Sequence, residues 1–161
     1  MTEHWVINAS PLILLGKADQ LGWLPDLGQV IVPQSVASEV AAGSTADPAR
    51  RWLDSAAAAA IIQRDVPERD ELFAWNLGRG ETAVIAWGMA NPGFEAVLDD
   101  AAARRCAAVF GIRQRGTLSL VALAKRRGFI EAVRPVFAKL QAAGLFVTQA
   151  LMDQVARSVG E

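Results

Sequence analysis

The chain has 161 residues, 52% of them hydrophobic, and a formal net charge of −1; this supports one domain with a sizeable core and is not the cationic excess of a typical nucleic-acid binder. One histidine, His4, excludes Cys/His zinc sites and two-histidine acid–base pairs, and a Ser–His–Asp triad would need that single ring near the terminus. One cysteine, Cys106, excludes an intramolecular disulfide, which leaves carboxylate as the plentiful reactive group.

Trp5-Val6-Ile7 predicts a strand, after which Asn8-Ala9 leads to Ser10 as N-cap, Pro11 at the first helical position and a helix over Leu12–Ala18. Leu24-Pro25 and Gly28 mark a loop before a second strand, Val30–Val32. Pro33 opens a helix to Ala42, closed by Gly43, and helical spacing places Glu39 beside Val36 and Val40 at the border of the buried face. Asp47-Pro48 starts a helix that runs through the Ala56–Ala60 stretch, and Ile61-Ile62-Gln63 predicts a third strand. Glu68–Leu77 reads as helical, Gly78-Arg79-Gly80 breaks it, and a helix over Glu81–Ala90 begins with an acid in its first turn, where the dipole favours one. Gly78-x-Gly80 is too short for a dinucleotide fingerprint.

Beyond the turn Asn91-Pro92-Gly93, Ala96-Val97-Leu98 has the composition of a buried parallel strand. Asp99 and Asp100 then stand at its carboxyl end, the edge where open α/β sheets collect ligands. Two adjacent acids repel unless a cation, a proton or an arginine intervenes; Arg104, one helical turn on, offers a plain ion pair to Asp100. Ile112–Arg115 predicts another strand, Thr117 an N-cap, and a helix runs to Arg127 and the Gly128 break. A helix from about Val133 to Ala143, a last strand at Leu145–Val147 and a terminal helix at Thr148–Val159 complete the chain. The alternation predicts a single α/β domain, 1–161, whose central and mostly parallel sheet carries helices on both faces.

No apolar run reaches the roughly 20 residues of a membrane span. The opening MTEHWVINAS has neither the basic nor the apolar region of a secretory leader, so a cytoplasmic location is expected. Cys106, among Ala107, Ala108 and Val109, is expected to be an inert core thiol. Between Ala101 and Gly144 stand Arg104, Arg105, Arg113, Arg115, Lys125, Arg126, Arg127, Arg134 and Lys139 against a single acid, Glu131. Such a division can hold a polyanion beside an acidic cation site, or it can mean ordinary solvated helix ends.

Asn8, Glu39, Glu81 and Asp99 or Asp100 thus come from four separate segments of an α/β chain. The ordered pieces VINASPLILLGKA (6–18), VPQSVASEV (32–40), LGRGETAVIAWGMA (77–90), VLDDAAARRCAAVFG (97–111), RGTLSLVALAKRRGFI (115–130) and AAGLFVT (142–148) resemble the PIN-domain family. That family includes the VapC-type toxins, small metal-dependent ribonucleases, and the resemblance is closer still to its branch of predicted nucleic-acid-binding proteins.

The resemblance implies a sheet of about four to five strands with an acidic pocket at their carboxyl ends. Glu39 and Glu81 match the family's second and third acids, and Asp99-Asp100 its fourth, either residue being the ligand. Ser10 matches the small hydroxyl residue after the first acid, Thr117 the Gly-Thr step, and Arg104 the arginine after the acidic pair. Asn8 departs from the family, which usually has aspartate there; its amide oxygen can still ligate a hard cation, with one charge fewer. The implied activity is RNA hydrolysis by a toxin–antitoxin type endoribonuclease. Glu39, Glu81, Asp99 and Asp100 would be catalytic, and Asn8, Glu81, Asp99 and Asp100 would hold Mg²⁺ or Mn²⁺. RNA, a small antitoxin protein and a second copy of the chain are the implied partners. The alternative is a catalytically degenerate module that binds RNA or protein. A Mg²⁺-dependent phosphatase or receiver-like domain is disfavoured, for no aspartyl nucleophile motif with a matching lysine is present. Trp5, Trp23, Trp52, Trp75 and Trp87 suit either core or an interface.

Overall fold

The apolar runs assemble into one sheet whose central strand is the first in the chain. A computed structural model describes residues 3–161; Met1 and Thr2, the start of the expected domain, lie outside the described residues. In chain order the elements are β1 (His4–Ile7), α1 (Ala9–Lys17), α2 (Leu24–Leu27), β2 (Gln29–Pro33), α3 (Gln34–Ala41), α4 (Pro48–Leu53), α5 (Ala56–Ala59) and β3 (Ile62–Gln63). A 3₁₀ helix (Asp70–Trp75) leads to α6 (Arg79–Ala90), β4 (Glu95–Val97), α7 (Ala101–Val109), β5 (Gln114–Arg115), α8 (Thr117–Arg126), α9 (Arg134–Ala142) and α10 (Gln149–Ser158).

The five strands lie in the order β3-β2-β1-β4-β5 and every pairing is parallel. Val6 stands opposite Ile31 on one side and Ala96 on the other, and Ile7 opposite Val97. Successive side chains of a strand point to opposite faces, yet Trp5, Val6 and Ile7 are all buried. Both faces of β1 are therefore covered by helices, the condition under which strands read as continuous apolar runs. The chain first builds outward from β1 through β2 to β3, then crosses to β4 and β5. This reversal is a topological switch point, and its open end lies beyond Ile7 and Val97.

Several boundaries differ from those predicted, each for a local reason. Asn8, not Ser10, is the N-cap residue of α1: its extended backbone (φ −82°, ψ 167°) donates N–H to the Val97 carbonyl (3.2 Å) and so prolongs the ladder to the last possible residue. Pro11 then falls in the first helical turn, where a missing N–H is harmless. The Leu24–Leu27 stretch is a short helix instead of a loop, with Pro25 in its first turn. Asp47 does cap α4, accepting the Ala49 N–H (2.8 Å), but the helix stops at Leu53 because Ser55 turns extended and donates its hydroxyl to the Trp52 carbonyl (2.6 Å). Leu145–Val147 joins no strand. Leu145 is buried, Phe146 is exposed, and the run connects α9 to α10 as a short apolar bridge.

Four cations of the basic segment are paired with acids that lie outside it. Arg115 pairs with Glu95 (3.4 Å), Lys125 with Glu161 (2.8 Å), Arg127 with Glu3 (3.4 Å) and Arg134 with Asp153 (2.7 Å), and all four acids come from outside 101–144. The ion pair expected between Arg104 and Asp100 does not form; Arg104 Nε donates instead to Gln114 Oε1 (2.5 Å). Of the tryptophans, Trp5 and Trp23 are buried, while Trp52, Trp75 and Trp87 pack half-buried against the core. Cys106 is buried, and burial raises its thiol pKa, as expected of an inert thiol.

Candidate functional site

The site begins where β1 and β4 end. Asn8, the residue after β1, is only 5% exposed, and its Oδ1 has no hydrogen-bond partner among the described residues. A buried amide oxygen left unpaired costs about 1–3 kcal/mol, so its place needs an explanation other than packing. Oδ1 lies 3.2 Å from where a Cβ on Gly80 would stand, and Glu39 Oε2 lies 2.5 Å from the same point. Glycine at position 80 lets the first turn of α6 come this close to Asn8 and to Glu39 on α3 without displacing either side chain.

Past β4, Leu98 N–H still reaches the Arg115 carbonyl (2.9 Å), and then the two aspartates diverge. Asp99 turns toward the β5–α8 junction, where Oδ1 accepts the Thr117 N–H (2.8 Å) and Oδ2 the Thr117 hydroxyl (2.6 Å). Thr117 is therefore fully buried as the partner of Asp99, and Gly116, not Thr117, is the cap of α8. A Cβ on Gly116 would come within 3.2 Å of Asp99 Oδ1. Asp100 instead caps α7, its Oδ2 accepting the Ala103 N–H (2.9 Å), and it is exposed.

Glu81, in the first turn of α6, is half-buried, and its carboxyl is held above its ordinary pKa. Burial is the main cause and the negative charge of Asp100 the next; the Gly78 backbone hydrogen bond offsets part of this, and Glu39 adds repulsion. The charges of Asp100 and Glu39 thus act on Glu81 even though no bond joins them to it.

Asn8, Ser10, Glu39, Glu81, Asp99, Asp100 and Arg104 all line one cavity of about 780 Å³. The fold thus gathers the residues named from sequence, with the exception of Thr117, which stands behind Asp99. Ser10 is exposed on the first turn of α1 and caps nothing. The remaining wall is apolar, from Leu145, Phe146, Val147 and Leu151. A second hollow of about 690 Å³, lined by Gln34, Ser38, Gly78 and Arg79, shares Glu39 and Glu81 with the first.

A family model described as a PIN domain matches residues 4–161. The chain belongs to the PIN-domain family. No curated protein matches the chain closely enough to count. PIN domains have a nuclease-like fold, generally use divalent metal ions and generally bind RNA.

In this PIN domain the donors facing the cavity are all oxygens, as a hard cation such as Mg²⁺ or Mn²⁺ prefers. The unpaired Asn8 Oδ1 and the mutually repelling carboxylates of Glu81, Asp100 and Glu39 fit such an ion. Among the described residues no three His, Cys, Asp or Glu side chains already stand close enough together to enclose one. Residues that sequence reasoning missed include Gly80, Gly116 and Ser119. Ser119 lines the cavity and accepts from Arg115 Nη1 (3.0 Å). A glycine directly before Glu81 and another before Thr117 were the available signals. No helix is long and apolar enough to cross a membrane among the described residues.

Proposed function

We propose that this PIN domain is a metal-dependent endoribonuclease of toxin–antitoxin type that hydrolyses RNA phosphodiesters. The observation that carries the reading is the convergence of Asn8, Glu39, Glu81 and Asp100 on one cavity at the switch point of the sheet. Asn8 Oδ1 and the carboxylates of Glu81 and Asp100 would hold Mg²⁺ or Mn²⁺. Asp100 is preferred to Asp99, since both oxygens of Asp99 are engaged by Thr117 and it is Asp100 whose charge reaches Glu81. The chemistry such an ion supplies when bound is Lewis-acid stabilisation of charge on the phosphodiester and activation of water.

The protein's own groups do the rest. Glu39, exposed and open to both hollows, accepts the proton of the attacking water at its carboxylate. Asp99 acts as a clasp that holds the β5–α8 junction against the end of β4 and so keeps that wall of the cavity in place. Arg104 and Ser10 contact the RNA backbone, contacts that position substrate without reading its sequence. A small antitoxin, a homodimer and a cytoplasmic location belong to the same reading.

Asn8 favours a second reading, a degenerate module that binds RNA without cutting it, since the position lacks the family's usual charge. One experiment separates them. A panel of RNAs is incubated with Mg²⁺ and with Mn²⁺, using the natural protein, Glu81→Gln and Asn8→Asp. Cleavage by the natural protein that falls at least about a hundredfold in Glu81→Gln supports the nuclease. Cleavage only by Asn8→Asp supports the binding module, and none by either contradicts the proposal.

A further inference from the structure

The apolar wall of the cavity has an unusual member. Leu145 is buried and anchors it, whereas Phe146 is 103% exposed. The connection that carries the ring is short and held at both ends. Gly144 turns it at φ +111°, and Thr148 caps α10 by accepting the Leu151 N–H at Oγ1 (3.1 Å). A phenylalanine kept in water on an anchored bridge forgoes the benefit of burial and leaves its ring free in the cavity that the acids also line.

Glu39 and Glu81 line both hollows and so form the ridge between them. In the second hollow Arg79 is equally out of keeping with local stability. It is the first residue of α6, where the helix dipole disfavours a cation; it is exposed and has no ion pair among the described residues. The further acid of that hollow, Asp65, is engaged by the backbone N–H of Ser35 (3.0 Å) and by its hydroxyl. Arg104 supplies the cation of the first hollow.

We propose that one unpaired base of the RNA stacks on Phe146 while Arg79 takes a phosphate in the second hollow, so that the strand is led across the Glu39–Glu81 ridge. The inference rests on the ribonuclease reading and adds to it two positioning residues, Phe146 and Arg79. Cations on either side of the ridge suit a phosphate chain. The strongly exposed apolar area at the cavity is one ring with the half-exposed Leu151 beside it, the size of a base more than of a protein interface. A duplex keeps its bases stacked on one another, whereas a single strand offers free π-faces that an aromatic side chain accepts with little regard to sequence.

The test is binding to Glu81→Gln protein in Mg²⁺, read by fluorescence anisotropy of a short labelled RNA, single-stranded or annealed to its complement. The single strand should bind more tightly. Adding Phe146→Ala should weaken it about five- to a hundredfold, the usual range for one lost stack, while Phe146→Trp should retain affinity and add an emission that the strand quenches. Adding Arg79→Ala should weaken binding and reduce the salt slope by about 0.7, one single-strand phosphate contact. Equal binding with and without Phe146, or a duplex bound as tightly as the strand, overturns the inference and leaves the ribonuclease reading standing. Unchanged RNA binding with an altered mass in light scattering would make Phe146 a protein contact and also overturn it. Failure of the protein with Phe146 intact to bind any RNA overturns both.

Discussion

Glu81 concentrates the conflict between stability and chemistry in this PIN domain. Its carboxyl is held above the ordinary value of 4.5 by burial and by Asp100 and Glu39. The folded state therefore binds a proton more tightly at this position than the unfolded chain does. In the window from the ordinary value up to the raised one, stability falls as pH rises, and above the window the loss is complete. Glu81→Gln removes the charge and should raise the thermal midpoint at pH 7 by on the order of 1–3 °C, a modest figure because the group is partly solvated. At about pH 4, where the carboxyl is protonated in the fold, the gain should vanish. Differential scanning fluorimetry across pH checks this; an equal shift at both pH values would mean that the substitution acts through packing and not through charge.

At the scale of elements, the cavity depends on how α6 and α8 are seated against the strand ends. Gly80 admits the first turn of α6 to Asn8 and Glu39, and the Asp99–Thr117 clasp fixes the start of α8. Thr117 is fully buried, and its hydroxyl bond to Asp99 is short, 2.6 Å. Thr117→Val keeps the shape and the backbone bond but strips that donor from a carboxylate. It should destabilise by about 1–3 kcal/mol, seen as a midpoint lowered by about 2–4 °C per kcal/mol. Urea unfolding measures it directly. A change below about 0.5 kcal/mol, the level of an ordinary surface substitution, would mean that the clasp does not hold α8.

The architecture of the whole molecule was largely legible along the chain, and the ways in which it was not are instructive. The Val6, Val30–Val32 and Ala96–Val97 runs announce parallel strands because burial on both faces leaves them no polar residue. Leu145–Val147 has the same composition, but three apolar residues can equally bridge two helices, and nothing local says that no strand edge is waiting. Ser10-Pro11 has the pattern of a helix start, yet Asn8 takes the cap because the ladder to Val97 carries the chain that far. Which of Asp99 and Asp100 has both carboxylate oxygens engaged depends on Thr117, eighteen residues from Asp99 (|i−j|=18), and no local pattern encodes that distance. The same holds for the basic segment, whose Arg134 and Lys125 meet acids 19 and 36 residues on (|i−j|=19 and |i−j|=36). The gathering of the acids into one cavity, by contrast, was implied by the resemblance of the ordered motifs to the PIN-domain family.

That gathering is what the functional account requires, and Mn²⁺ binding measured by isothermal titration calorimetry addresses it without reference to any RNA. The natural protein should take up one ion per chain, and Glu81→Gln and Asp100→Asn should each weaken uptake at least about tenfold, the loss of one charged ligand. Absence of binding by the natural protein, or equal binding by all three proteins, would contradict the account.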